Sequence, residues 1–453
     1  MAAPGAEQPG AHPRDRLPRT LSLQDAVFLV VASVVGSGIF LTPGTIADRL
    51  PHPGLIFAVW IAGGLLSLGG AFANAELGAM FPRAGGNYVY LREAFHPAAG
   101  FVAGWLSFFA IYAGTVATLA AGFAESIAPL LGLPATAVVP LAIATVAASS
   151  ALNYTSVRWG ALANNATGWV KVVALFAFAV FGPLFGAGDP ANLRPLVAGI
   201  GEVAGPAAFA LALSPVLFSY LGWNASVFVA SEIREPTRNV PRSLFLGLGI
   251  CAALYLLLNA VYLYALPVET LRHTPNAGEA AARVLFGELG GRLLTGFVLV
   301  SILGTLNATI LVGPRIAYAM ALDDLFVRGV ERVHPTFQTP ALAVVVQAAV
   351  AGVLLVLLRG FPSALDFTTF AIVLATIADV LALIWLRTRQ PGRPRPYRGA
   401  GYPWVPALYV LANLSIAVGL AAGSPRPAAI GALVMLSGLP VYLALRLRRP
   451  AAP

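Results

Sequence analysis

Residues 33–40 read Ser33-Val34-Val35-Gly36-Ser37-Gly38-Ile39-Phe40, with Pro43 following. The run lies in the middle of an apolar stretch, 24–47, long enough to cross a bilayer, for which ~20 residues suffice. Glycine costs about 1 kcal/mol in a helix interior, and lipid offers no hydrogen bonds to bare backbone. A Gly-Ser-Gly at mid-membrane therefore marks either close helix packing, which small residues permit, or a break that lines a cavity. A second stretch decides between them. In 206–231, Ser214-Pro215 precedes Phe218-Ser219-Tyr220-Leu221-Gly222-Trp223-Asn224, again placing polar groups and a glycine deep in an apolar segment. The two interruptions are five apolar stretches apart. An odd repeat length inverts the second half relative to the first, and paired interruptions in inverted repeats point to a transporter's mid-membrane binding site.

The rest of the chain agrees with a membrane protein. Of 453 residues, 58% are hydrophobic and 10% charged, against about 25% charged in an ordinary soluble domain. This excludes a soluble enzyme, a disordered chain and a nucleic-acid binder. Apolar stretches run over 24–47, 54–80, 98–131, 136–153, 164–186, 206–231, 243–266, 291–320, 340–358, 364–386, 402–422 and 427–446, which gives twelve expected spans in an all-α membrane fold. The Ala-, Pro- and Gly-rich residues 1–21 read as a disordered cytoplasmic tail, not a signal peptide. The expected organisation is a first inverted repeat over 22–190, a second over 191–390, and two additional helices with the C-terminal tail over 391–453. The loop 267–290 has helical character and is placed as an outer lid.

The net charge of +9 is explained by topology. Of the 28 basic residues, 27 are Arg and one is Lys, at position 171. With twelve spans, twenty of the arginines fall on the side of the two termini and seven on the other. Basic residues mark the cytoplasmic side, so both termini are expected in the cytoplasm and the protein in the cell (plasma or inner) membrane. Trp385 and Trp404 flank the Arg-rich loop 387–398, and Trp159 and Trp169 lie near the loop around Arg158, as an interfacial belt requires. The single cysteine, Cys251, excludes an intramolecular disulfide and a Cys-based zinc or iron–sulfur site. The five histidines, 12, 52, 96, 273 and 334, fall in loops or the tail without clustering, so no metal and no cofactor is expected.

Four stretches carry a resemblance to a known family. Val35-Gly36-Ser37-Gly38-Ile39-Phe40 resembles the first-helix signature of the amino acid–polyamine–organocation permeases. Ala75-Glu76-Leu77-Gly78 with Pro82 through Leu91 is similar to their second-helix-to-loop motif. Tyr220 through Asn224, with Glu232, Pro236, Arg238-Asn239 and Pro241, resembles their sixth helix and following loop. Gly304-Thr305-Leu306-Asn307 through Gly313-Pro314-Arg315 and Ala319-Met320-Ala321 resembles their eighth. Within the family the chain looks most like the L-type amino acid transporters and their bacterial relatives. The resemblance implies the leucine-transporter-type fold, two inverted five-helix repeats plus two helices, and an amino acid as substrate.

The chemistry of a broken helix suits that substrate. The amides at the start of its second half, at Ser37 and Gly38, attract a carboxylate. The carbonyls of Ser33 and Val34, beside Gly36, and those of Phe218, Ser219 and Leu221 in the second break suit an ammonium. Phe218 resembles the family's aromatic gate. Leu221 stands where many L-type relatives have Gly, so its bulk favours small or medium neutral side chains. Trp223 and Asn224 are placed at the site without a fixed direction.

Lys171 lies about seven residues into span five, ~10 Å of helix. It matches the fifth-helix lysine of many L-type and proton-coupled members, whose ammonium stands where sodium-coupled relatives bind a cation. The carbonyl of Gly36 or Val34 and a hydroxyl of Ser301 or Thr305 are its expected partners. Asp379, mid-span in helix ten, is a candidate coupling residue because an intramembrane carboxylate is a functional suspect. Glu76, Glu232 and Glu235 lie beside cytoplasmic arginines as candidate inner-gate ion pairs or solvated loop charges. The expected activity is sodium-independent permeation of neutral L-amino acids by alternating access and exchange, not enzymatic. A proton-coupled symporter is one alternative, and a non-transporting amino acid sensor on the same scaffold is another. Residues 131–135 lack the cysteine through which some animal relatives bind a single-pass partner, so no disulfide-linked subunit is expected. The bilayer and a small amino acid are the expected partners, and nucleic acid is not.

Overall fold

The computed structural model describes residues 13–155, 157–196, 205–358 and 360–447. Residues 1–12 of the expected tail, Arg359, Arg448 and Arg449 lie outside the described residues, as do the side chains of Arg158 and Trp159. The described chain is helical, with one isolated β-bridge, Leu21 to Ile233. In chain order the helices are α1 (Leu23–Val34), α2 (Gly38–Arg49), α3 (Pro53–Met80), α4 (Asn87–Ala94), α5 (Pro97–Leu106), a π-helical segment (Ser107–Tyr112), α6 (Ala113–Ile127), α7 (Val138–Thr155) and α8 (Val157–Phe185). There follow α9 (Pro206–Tyr220), α10 (Ala225–Phe228), α11 (Pro236–Ala265), α12 (Val268–Arg272), α13 (Ala277–Val312), α14 (Pro314–Leu322), α15 (Ala341–Leu358), α16 (Phe361–Arg389), α17 (Trp404–Gly423) and α18 (Pro425–Leu447).

Among the described residues, ten helices are long and apolar enough to cross a membrane, or eleven when α1 and α2, bent by 44° at their junction, count as one broken span. This is coarser than the expected twelve. The difference lies in 206–231, which the second interruption divides into the fifteen-residue α9 and the four-residue α10. The loop 267–290 is helical as expected: α12 is followed by the first turns of α13, which bends at Gly287.

The bundle is arranged by how much surface each span hides. The spans Pro97–Ile127 and Ala277–Leu322 are the most enclosed, whereas Ala135–Thr155 and Pro425–Leu447 present mostly apolar surface outward. Large apolar side chains such as Leu65, Phe185, Leu433 and Trp404 are exposed. This reverses the soluble pattern, as expected where the surrounding medium is lipid.

The expected tail is ordered in part. Residues 13–21 lie against the bundle, with Leu17 and Leu21 buried. Leu21 donates its N–H to Glu232 O at 2.9 Å and accepts from Arg234 N at 2.8 Å. Arg14 pairs with Asp324 at 3.1 Å. The same face gathers a set of ion pairs. Arg315 is 2% exposed and Glu232 0%, and they meet through two parallel hydrogen bonds of 2.8 and 3.0 Å. Glu76, also buried, receives Arg387 and, at 3.2 Å, Arg395. Arg92 pairs with Asp323, which also accepts from Tyr88 Oη at 2.6 Å. Burial, and then the Asp323 charge, push the Tyr88 phenol above its ordinary range.

Breaking a buried ion pair by removing one partner costs about 3–5 kcal/mol, because the other charge is left in a low-dielectric interior. Arg315→Met is therefore expected to lower thermal stability in detergent by an amount in that range, and Arg315→Met with Glu232→Gln by less. A single variant as stable as the wild type would contradict this account of the buried pair.

Candidate functional site

The first break is built by what surrounds it. α1 starts with a capping box, in which Ser22 Oγ accepts from Asp25 N and Asp25 accepts from Ser22 N. It runs to Val34 through small and β-branched residues. Val35, Gly36 and Ser37 leave the helix, and α2 restarts at Gly38. Ser37, the residue before α2, makes no side-chain capping bond. The first amides of α2 therefore lack partners within the helix.

Lys171 reaches this break from α8. Its Nζ donates to Val35 O at 2.7 Å, to Ala32 O at 3.1 Å and to Thr305 Oγ1 at 2.8 Å. An ammonium has three protons, and three acceptors meet them. Ser301 Oγ donates to Val35 O at 3.2 Å, and Thr305 Oγ1 lies 2.9 Å from Ala32 O. The expected carbonyls, Gly36 and Val34, are corrected to Val35 and Ala32. The reason is helical phase: residues three apart share a face, and the face of Ala32 and Val35 looks toward α8 and α13. Val34 faces α11 instead, where Tyr255 Oη lies 2.9 Å from Val34 O and 2.8 Å from Ser219 O. Both expected hydroxyls are present, Thr305 on the ammonium and Ser301 on its acceptor.

The second break meets the first. α9 ends at Tyr220, and Gly222 has φ +97°. A Cβ there would stand 2.7 Å from Ser33 O, so both the backbone angle and the space require glycine. A Cβ on Gly38 would stand 2.9 Å from Ser219 Cα. The two interruptions thus touch at two places, and Tyr255 spans them with a hydroxyl between one carbonyl of each.

Between the breaks lies a cavity of about 100 Å³. Ser33, Val34, Gly36, Ser37, Gly38, Phe218, Ser219, Leu221, Asn224 and Thr305 all line it. Its opposite wall comes from the π-helical segment, α6 and α16, with Tyr112, Thr115, Thr118, Thr368 and Thr376. A larger cavity of about 570 Å³ adjoins it, sharing Ser37, Gly38, Phe218 and Leu365, and extends to Arg49, Asp366 and Ser424 at the face opposite the ion pairs. Phe218 thus borders both spaces.

Four expected site residues do not line this cavity, Lys171 behind the break among them. Trp223 turns away onto α3, where a Cβ on Gly70 would meet its ring at 2.7 Å. Ser301 is behind the break and does not line the cavity. Asp379 is buried in α16 close to Asn74, about one turn beyond Thr376. The sequence reading missed Tyr255, Tyr112 and the threonine wall. A tyrosine among thirteen in the chain carries no local signal, and the π-helical offset that presents Tyr112 does not show in composition. No group of three or more metal-ligating side chains occurs among the described residues.

Sequence comparisons agree with this geometry. The profile of the family described as amino acid permease matches residues 21–445. The chain is 29% identical to the serine/threonine exchanger of Bacillus subtilis over 437 residues, covering 96% of this chain and 98% of that protein. It is 26% identical to the b(0,+)-type amino acid transporter 1 of Mus musculus over 404 residues, covering 88% and 82%. It is 25% identical to the cystine/glutamate transporter of Homo sapiens over 444 residues, covering 97% and 87%.

Proposed function

The chain belongs to the amino acid permease family, membrane transporters and not enzymes, and from that premise we propose that it exchanges neutral L-amino acids across the cell membrane by alternating access, without sodium. The observation that carries the reading is the Lys171 ammonium on the carbonyls of Ala32 and Val35 and on Thr305. A protein-borne cation at the first-helix break makes a bound metal cation there unnecessary. In this reading the fold is twelve helices in two inverted five-helix repeats plus two, with α9 and α10 as the broken sixth span. The arginine bias supports both termini in the cytoplasm.

The substrate's carboxylate lies on the unpaired amides at the start of α2, around Ser37 and Gly38, where the half-helix dipole favours an anion. Its ammonium lies among the carbonyls that end α1 and α9. Tyr255 has one proton for two carbonyl neighbours, Val34 O and Ser219 O, and Val34 O also accepts from Gly36 N at 2.8 Å, so whichever carbonyl Tyr255 leaves keeps a lone pair for the ammonium. Leu221 and the small cavity favour small side chains, and the threonine wall suits those with a hydroxyl. The name of the Bacillus subtilis relative points the same way.

The ion pairs on the terminal face and the open vestibule on the other fit an outward-facing state. Rocking of the first, second, sixth and seventh spans against the rest would part Glu232 from Arg315 and Glu76 from Arg387, since each pair joins one group to the other. An intermolecular disulfide would have to come from Cys251, buried within α11, which supports a transporter without a covalently attached subunit. A sensor on this scaffold would bind amino acids and move none.

In proteoliposomes, uptake of labelled serine is expected to require internal amino acid, and unlabelled serine, threonine or alanine to compete better than tryptophan or phenylalanine. Uptake driven by a pH gradient into liposomes without internal amino acid would show symport instead. Stronger competition by the aromatic pair would contradict the role given to Leu221. Lys171→Ala is expected to fold but lose most transport, because two carbonyls at the break lose their donor. Wild-type flux in that variant would overturn the assignment.

A further inference from the structure

Asp379 is the buried carboxylate that the exchange reading leaves unused. It is 1% exposed, and it lies between two functional levels. Ala375 and Thr376, on the preceding turn of α16, line the substrate cavity. Arg387, eight residues on and ~12 Å further along the helix, pairs with Glu76 at the terminal face. Both carboxylate oxygens of Asp379 are buried without a hydrogen bond. So are both polar atoms of Asn74 on α3 and the hydroxyl of Tyr90 on α4. Asn74 is the neighbour within reach of Asp379. A Cβ on Gly78, one turn from Asn74 on α3, would stand 3.2 Å from Tyr90 Oη, so the tyrosine hydroxyl faces the same side of α3.

Hydrogen counting distinguishes the two forms of the carboxyl. An ionised carboxylate only accepts. It could accept from the Asn74 Nδ2 donor but offers no proton to the Asn74 Oδ1 acceptor, which is buried without a partner. A neutral carboxylic acid donates to Oδ1 and accepts from Nδ2, a reciprocal pair that satisfies both residues. The lack of a nearby cation favours the same form. The titratable groups nearest Asp379 are Tyr90 from α4, Tyr112 from the π-helical segment and Tyr409 from α17, all uncharged. α5, α6, α15 and α18 also pack on α16, and no charged group among the described residues acts on Asp379. Arg387 and Arg395 are both engaged by Glu76.

We propose that Asp379 and Asn74, flanked by Tyr90, form a proton-binding site beneath the substrate cavity, which carries the proton while the terminal face is closed and gives it up when that face opens. The transport consequences rest on the exchange reading above. In the closed state the acid–amide pair ties α16 to α3. When the Glu76 pairs part and water enters from that side, the carboxylic O–H breaks, a water takes the proton as hydronium, and a hydrated carboxylate remains. Closing reverses the step. Acidifying the terminal side therefore holds the protein closed and slows exchange.

Two measurements test this on the full-length protein. The first is an infrared difference spectrum of wild type minus Asp379→Asn at neutral pH, in detergent and without substrate, so that it does not depend on transport. The expected difference is a neutral carboxylic acid C=O band, shifted in Asp379→Glu. A carboxylate band in its place would overturn the site. The second is serine exchange in proteoliposomes as the pH on the terminal side is varied. Wild type is expected to slow on acidification, and Asp379→Glu to keep a dependence on that pH. Asp379→Asn, which mimics the acid and cannot release a proton, is expected to bind serine like wild type, exchange slowly and lose the pH dependence. An Asp379→Asn profile that follows the wild type would overturn proton release. Wild type without exchange at any pH would count against the permease reading alone and leave the infrared result to decide the proton site.

Discussion

A helix interrupted inside a membrane leaves carbonyls without donors and amides without acceptors, and lipid supplies neither. Everything at the centre of this protein depends on how the carbonyl half of that problem is met. The Lys171 ammonium gives its three protons to Val35, Ala32 and Thr305. One side chain from α8 thereby fastens the end of α1 to α13. An unpaired lysine at this depth costs on the order of 3 kcal/mol. The carbonyls that need a donor and the ammonium that needs acceptors answer each other. With the end of α1 held, Ser37 and Gly38 at the start of α2 keep their place on the cavity wall.

The second break is locked to the first by space as much as by hydrogen bonds. Gly222 admits the Ser33 carbonyl, and Gly38 admits the backbone of Ser219. A methyl group at either position would force the two segments apart. Tyr255 then lies against both carbonyl ends. Glycine therefore serves two purposes here, releasing the helix and letting two released segments touch. The cavity is the remaining space between these segments and the wall formed by α6, α16 and the π-helical segment.

Much of this was legible in the sequence, for identifiable reasons. The breaks were visible because Gly36, Ser37, Gly38 and Gly222 are anomalous in apolar runs. Lys171 was visible because it is the single lysine among 27 arginines. Its partners were misplaced by a fraction of a turn, since a residue list gives a helix's position but not the phase of a frayed end. Trp223 was placed at the site because the break around it is, yet direction within a turn depends on what lies opposite, here Gly70. The order in residues 13–21 comes from distant partners, Asp324, Tyr318 and Ile233, that no local composition encodes. Twelve apolar stretches were countable. A stretch that is broken, such as 206–231, shows as two short helices and not as one span.

The central claim is that a fixed ammonium takes the place of a cation at the first-helix break. The most direct test replaces sodium on both sides of the proteoliposome membrane with choline while serine exchange is followed. This account expects the rate and the apparent affinity to be the same with and without sodium. A requirement for sodium would contradict it, since a cation would then be needed where Lys171 already sits.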